Sequence, residues 1–465
     1  MPRDDLVPDR DAILHWIEQI YEGGIRRPGY PADRRAERLC EERFREFGLE
    51  NVRLEPVPLA YWEPRSWSLR VRHAGVESEL PCFPLPHSAP AERLEISLAA
   101  FDPTRPEAVR GRASLFDVSL LRLPPDLPAS GEGAPAELSE QLSVAPRPGG
   151  RVYDPSGSFD GALQVLPFGP QIMEVMEPSI DAGAAAFIGA LTGYPGDSCE
   201  YYVPYDGLSR PIPGVWIRGS DGARLRSMLA AGPVDLVLDV DSVREEVISH
   251  NVVGELPGVD EERVVIGSHH DGPWDSAVED ASGVALVLAQ AAYWSAVRQE
   301  ERPHRLVFLL NAGHMVGGAG CRAFLEAHAA EIDRIVLEIH LEHAAREFVE
   351  REGDLVPTGQ PEVRWFFTSR IPLLEAAVWK AIEAEGLERS LVIPPDALGP
   401  RPTTDGGFFH DHGVPLVNYL TAPFYLFDAM DRMDKIDVDS LVPVTRATIW
   451  LVESTLGLTA NAIRA

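Results

Sequence analysis

Cysteine is scarce in this chain and lysine is nearly missing. The four cysteines, Cys40, Cys82, Cys199 and Cys321, lie far apart with no CxxC or zinc-finger spacing. That argues against a disulfide scaffold and against a cysteine-ligated metal site, and buried free thiols are expected instead. No stretch approaches the roughly 20 consecutive apolar residues of a spanning helix. The opening MPRDDLVPDRDAILHWIEQIYEGG is charged before any apolar run develops. A cytoplasmic protein without membrane attachment is expected. Positive charge is also in deficit: 42 Lys+Arg against 72 Asp+Glu leave a formal net charge of −30. Nucleic acid is thereby excluded as a default partner, because its phosphates call for a cationic surface.

What is present is ordinary globular material. With 465 residues, 45% hydrophobic and 25% charged, the chain is long enough for two or three cores at roughly 100 to 200 residues each. Apolar Ile13, Leu14, Ile17 and Ile20 recur at helical spacing, and a second amphipathic run covers Ala32 to Phe47, so two helices are expected to open the protein. Alternating segments follow, such as Val52 to Leu59. A Pro- and Gly-loaded region from Leu123 to Gly161 leaves room only for short elements. Small-residue turns feeding short strands, GAAAFIGALTG and IPGVWI, complete what reads as a mainly β module inserted into a larger domain. After Asn251 apolar strands and helices alternate: RVVIGSHHDG, ASGVALVLAQAAYWSAV, RLVFLLNAGH, CRAFLEAHAAEI and RIVLEIHLEH. That order predicts an α/β fold, a mostly parallel sheet covered on both faces, with ligands beyond the carboxyl ends of its strands.

Each of the three strands ends in polar residues. His269, His270 and Asp271 end the first, His314 the second, and His340, Glu342 and His343 the third. Neutral imidazole and carboxylate are the usual ligands of Zn(II), Fe(II) or Mn(II), so three such strand ends together point to a divalent metal site. Two-residue alternation puts His340 and Glu342 on one face and Leu341 and His343 on the other, which makes Glu342 the stronger ligand candidate.

Several short stretches in this order resemble one family: NVVGELPG (Asn251 to Gly258), a GxHxD loop at Gly267, His269 and Asp271, ASG (Ala281 to Gly283), TDGGFF followed by GVPLV, and DKID (Asp434 to Asp437). They resemble the zinc-dependent aminopeptidases, a family that includes glutaminyl cyclases and transferrin-receptor-like proteins. The resemblance covers essentially the whole chain. It implies a discontinuous catalytic domain at residues 1–95 and 246–465, interrupted by a protease-associated-like domain at 96–245. It also implies that His269 is a zinc ligand and that Asp271 orients it. Counted from the ASG, the family's metal-bridging aspartate falls on Val278. The glutamates of its base and second-metal ligand fall on His314 and Met315, its third-strand aspartate on Glu342, and its final ligand histidine near Phe427.

So much replacement implies a rebuilt, mononuclear site. His269, His314 and Glu342 form a two-histidine, one-carboxylate set, with His314 alternatively free as acid or base. Glu279 or Asp280, and less so Asp275, would bend in where the bridge is missing. His410 and His412 fall on a helix behind the site; Tyr425 and Asp428 are candidates for substrate contacts or a ligand oxygen, and Arg370 and Arg401 for carboxylate clamps. The expectation is a metal-dependent hydrolase of amide bonds in short peptides or amino-acid conjugates, taking one Zn(II), or Fe(II) or Mn(II). The alternatives are a receptor-like binding protein and a mononuclear Fe(II) enzyme. Oligomeric state is not legible.

Overall fold

A computed structural model describes residues 1–123, 149–159, 164–169 and 172–464. Most of the Pro- and Gly-rich stretch expected to hold only short elements falls outside the described residues. The two opening helices are Arg10–Tyr21 and Pro31–Glu46. Asp9 caps the first, its carboxylate accepting from Ala12 N at 2.8 Å, and proline occupies the first position of the second, where its missing N–H costs nothing. The first helix buries Ile13, Ile17 and Ile20; the second buries Cys40 and Phe44 together with two acids, Asp33 and Glu37. Those acids, one turn apart, are held by donors behind the functional end of the sheet. His270 Nδ1 lies 2.8 Å from Asp33, and Ser249 Oγ and His250 N donate to Glu37 at 2.6 and 2.9 Å.

The sheet turns on one long strand, Val234–Leu256, which pairs antiparallel with Glu50–His73 along nearly its whole length. Its first part also pairs with Ala91–Ala100, and through that strand with Ala113–Ser119, Ala186–Thr192 and Gly214–Arg218. Leu69, Val71, Leu236 and Leu238 form a separate small core there with Ile188 and Val215. Its last part, Val252–Leu256, pairs with Arg305–Asn311. From there the parallel strands Arg263–His269, Ile335–Leu341 and Leu416–Thr421 run side by side, followed by Arg364–Thr368 antiparallel. The central strands are buried along almost their whole length because helices cover both faces. Among those helices, Gly283–Ala296 is buried along nearly its whole length, as a helix apolar on all sides must be. No helix of the described residues is long and apolar enough to cross a membrane.

Glu362 sits at the base of the hairpin Arg346–Arg351/Asp354–Pro361, 6% exposed, accepting from Val363 N at 2.9 Å and Gln164 Nε2 at 3.4 Å. Burial, with Glu347 nearby, pushes its carboxyl up to about 7. A folded pKa above the unfolded one favours the native state below the unfolded value. That advantage is lost as pH rises through about 7. Glu362→Gln is therefore expected to match the wild type at pH 5 and to be more stable at pH 8 by on the order of 1–3 kcal/mol. Urea unfolding at the two pH values checks it; equal stability at both would refute the burial argument.

Candidate metal centre

The carboxyl ends of three neighbouring parallel strands converge as the alternation of elements predicts. His269 ends its strand with the ring 0% exposed. Its Nδ1 lies 3.0 Å from the carbonyl oxygen of Asp271, which fixes the proton on Nδ1 and leaves Nε2 a bare lone pair. Burial, with His314 and other histidines around it, holds its pKa well below the ordinary value, so the ring is neutral. The orienting group is thus the Asp271 carbonyl, not the carboxylate that the resemblance implied. The Asp271 carboxylate accepts instead from the backbone N–H groups of His314 and Met315, at 3.1 and 2.8 Å, and so fixes the second strand's loop. Asn251 pins that loop from below, accepting from Ala312 N and donating to Gly320 O, both at 2.9 Å.

The loop after His269 places Glu279, not Val278, at the site. Val278 is a fully buried core residue, and its N–H and that of Glu279 both donate to Asp431, each at 2.8 Å. Glu279 Oε1 lies 3.4 Å from His269 Nε2, and its Oε2 lies 2.5 Å from His343 Nε2. The count from the ASG put the bridging position on Val278, whereas the non-helical backbone at Glu279 and Asp280 turns the side chain of Glu279 to the cluster. Asp280 approaches the cluster, Oδ2 lying 3.8 Å from His269 Nε2, but both of its oxygens are engaged by donors of the protein. Ser268 Oγ hydrogen-bonds one of its oxygens, and Gly283 N and His343 N donate to the other at 3.0 and 3.1 Å.

His343 overturns the alternation argument. The third strand ends at Leu341, and His343 adopts a left-handed backbone with φ of 54°, which swings its ring back to the face of Glu342. Its Nδ1 lies 2.7 Å from the carbonyl of Thr421, so Nδ1 carries a proton and Nε2 is the nitrogen turned to Glu279. Burial disfavours charge on the ring, yet the Glu279 carboxylate raises its pKa to about 10 in the absence of an ion. Glu342 is steadied by His340, whose Nε2 is 3.1 Å from Glu342 Oε1 and whose Nδ1 is 2.8 Å from Glu338.

Two sets of three residues bring ligand atoms within 4.8 Å of one another: His269, His314 and Glu342, and His269, Glu279 and His343. The first is the set expected from the sequence, and the residues do meet. Yet the His269 and His314 rings are stacked at 4.1 Å and 11°. Imidazole lone pairs lie in the ring planes, and two nearly parallel planes at that spacing do not direct both pairs at one ion. His314 is held by Asp405, Nδ1 to Oδ1 at 3.0 Å, between the left-handed glycines Gly313 and Gly317. Burial opposes charge on this ring, but Asp405 outweighs it and pushes the pKa up to about 10. Tyr205 stacks on the outer side of His314 at 5.4 Å and meets Phe427 at 5.0 Å, so Phe427 is an aromatic wall. Met315 is core.

Arg26 carried no sequence signal, lying in the link between the first two helices. Fully buried, it donates to the carbonyls of His270, Ser276 and Glu279 at 3.3, 2.6 and 3.3 Å and to that of Asp275, clamping the loop that carries Glu279. Arg26→Met is expected to cost about 3–5 kcal/mol in urea unfolding, since it strips buried carbonyls of a charged donor, and to weaken zinc binding by about 10- to 100-fold in equilibrium dialysis. Unchanged zinc affinity would reduce Arg26 to a packing residue. Of the remaining candidates, Asp275 only offers its carbonyl to Arg26, and Tyr425 OH donates to Arg346 O at 2.6 Å. Asp428 is buried beside Tyr194, and Arg370 pairs with Asp396 at 3.1 Å near the surface. His410 and His412 lie on and just beyond the short helix Gly406–Asp411, outside both ligand sets.

Fold and cluster together define an α/β scaffold with buried histidines and carboxylates gathered at the carboxyl ends of its parallel strands. Residues 251–452 match the model of Peptidase family M28. The chain is 30% identical over 138 residues to leucine aminopeptidase 2 of Trichophyton equinum, a match covering 29% of this chain and 27% of that one; it spans little more than a quarter of that relative. Over nearly the full length the fold is that of a Peptidase M28 precursor from Shewanella amazonensis (TM-score 0.68, 18% identity, 97% of this chain and 98% of that one). It is also that of a zinc aminopeptidase from Bacillus subtilis (TM-score 0.67, 15% identity, 98% of each).

Proposed function

We propose that the chain is a metal-dependent hydrolase of amide bonds, with one divalent ion, Zn(II) before Fe(II) or Mn(II), held by His269, Glu279 and His343 and flanked by Glu342. One observation carries the reading. His269 Nε2, His343 Nε2, both Glu279 oxygens and Glu342 Oε1 are buried without a satisfactory hydrogen-bond donor or acceptor. Such orphaned polar atoms are costly, and a cation satisfies them together. The set is still two histidines and a carboxylate, with His343 and Glu279 in the places first given to His314 and Glu342.

Bound there, the ion would polarise the scissile carbonyl and acidify a water. The chain supplies the rest. His314, facing the cavity described below and kept charged by Asp405, gives its Nε2 proton to the leaving amine nitrogen and recovers one from the attacking water. The water oxygen bonds to the carbonyl carbon, the C–N bond breaks, and an acid and an amine leave. Tyr205 and Phe427 keep bulk water from the His314 ring. The module at 96–245, read as protease-associated-like, belongs to this proposal, as does a substrate range of short peptides or amino-acid conjugates.

Metal analysis of protein purified without added metal tests the reading. About one equivalent is expected, bound by wild type. No metal even after soaking with zinc would favour a receptor-like protein in which His343–Glu279 and His340–Glu342 are ion pairs, as the apolar Met315 and Phe427 also fit. Iron with oxygen consumption would favour the Fe(II) enzyme.

A further inference from the structure

The cavity beside the cluster is about 580 Å³ and reaches the site at His314 and Asp405, within the usual size of small-molecule sites. Its wall runs against the charge of the protein. The chain carries −30, yet both acids on this wall are engaged: Asp206 by Arg210 at 2.7 and 2.8 Å, and Asp405 by His314 at 3.0 Å. Two arginines, Arg322 and Arg401, line the same cavity. Both stand over the ring of Phe408, Arg401 at 3.9 Å and Arg322 at 6.0 Å. Arg401 spends one nitrogen on Asp411 at 2.9 Å. Arg322 makes no ion pair among the described residues.

A smaller apolar recess opens off this cavity. It shares Leu398, Arg401, Pro402 and Thr403 with it and is otherwise walled by apolar side chains, Trp365, Phe367, Leu420 and Ala422 among them. A substrate entering with a free ammonium would find both carboxylates on the wall already paired with a cation, Asp206 with Arg210 and Asp405 with His314, and only the buried Oδ2 of Asp405 left open. One entering with a carboxylate would find a guanidinium without a partner and a second, half-used one, in the planar geometry suited to that group.

Resting on the hydrolase reading above, we infer that the substrates are N-acyl amino acids: the free carboxylate is bound by Arg322 and Arg401, the apolar group sits in the recess, and the scissile amide lies at His314. Hydrolysis then adds water across the C–N bond, releasing the acyl group as a carboxylic acid and the amino acid as a free amine. This is the reverse of the demand made by an aminopeptidase, which needs a free amine next to the scissile bond.

The test compares N-benzoylglycine, its C-terminal carboxamide and leucine p-nitroanilide on the full chain, with calorimetric binding of the first two alongside turnover. N-benzoylglycine is expected to be preferred over the carboxamide by about 10- to 100-fold in kcat/KM, the discrimination that charge-assisted bonds supply. Arg322→Gln and Arg401→Gln should erase the preference by raising KM with kcat nearly unchanged, while binding of the carboxamide stays as it was. Ala422→Trp, which fills the recess, should weaken N-benzoylglycine but not N-acetylglycine. Equal handling of acid and carboxamide, or preference for leucine p-nitroanilide, overturns this inference and leaves the hydrolase reading standing. If nothing is cleaved, the hydrolase reading falls and calorimetry still decides the site. Binding of N-benzoylglycine lost in Arg322→Gln supports a carboxylate site, and no binding overturns it.

Discussion

Glu279→Ala is expected to lower zinc affinity by more than about 100-fold, beyond the 10- to 100-fold typical of groups that only orient ligands, and to reduce amide hydrolysis on the order of 1,000-fold by removing Lewis-acid stabilisation. Val278→Ala should leave both nearly unchanged and cost only about 1–3 kcal/mol of stability for a deleted core volume. The contrast follows from where the two side chains go. Val278 is 0% exposed within the apolar core, whereas Glu279 Oε1 is 3.4 Å from His269 Nε2. Glu279→Asp shortens the arm by one methylene and should retain metal with reduced affinity, which separates loss of charge from loss of reach. Zinc titration followed by equilibrium dialysis of the three variants decides it. Metal loss in Val278→Ala with retention in Glu279→Ala would restore the register counted from the sequence.

That register error shows what the sequence could and could not convey. The parallel strands were legible because apolar runs alternate with helical periodicity, and the polar residues after Gly267, Asn311 and Leu341 mark their functional ends. His269 and Glu342 were legible for the same reason. His343 was not: period-two alternation holds only while the strand continues, and the strand stops at Leu341, two residues before a left-handed turn. Glu279 was named within the right loop, but the non-helical backbone at Glu279 and Asp280, which decides which of the loop's acids faces His269, is not revealed by spacing. Arg26 and Asp431 hold that loop from positions remote in sequence, 253 and 152 residues from Glu279, and nothing in their own neighbourhood marks them. Tyr205 likewise reaches His314 from a position remote in sequence.

His314→Gln is expected to separate chemistry from metal binding. If the stacked ring serves as proton carrier and not as ligand, the variant keeps about one equivalent of zinc and loses roughly 100- to 10,000-fold in kcat, the usual worth of a positioned acid or base. Asp405→Asn should act through the same ring. It still offers an oxygen to Nδ1 but no longer a charge, so a loss of about 10- to 100-fold in kcat is expected, with zinc unchanged. The double variant should be no worse than His314→Gln alone, because Asp405 acts only by way of the imidazole it holds at 3.0 Å. Kinetics with N-benzoylglycine and metal analysis of the same preparations check all three. Zinc lost along with activity in His314→Gln would make His314 a ligand after all. Its ring would then have to leave the near-parallel stack on His269, 11° in this structure, before both nitrogens could face one ion.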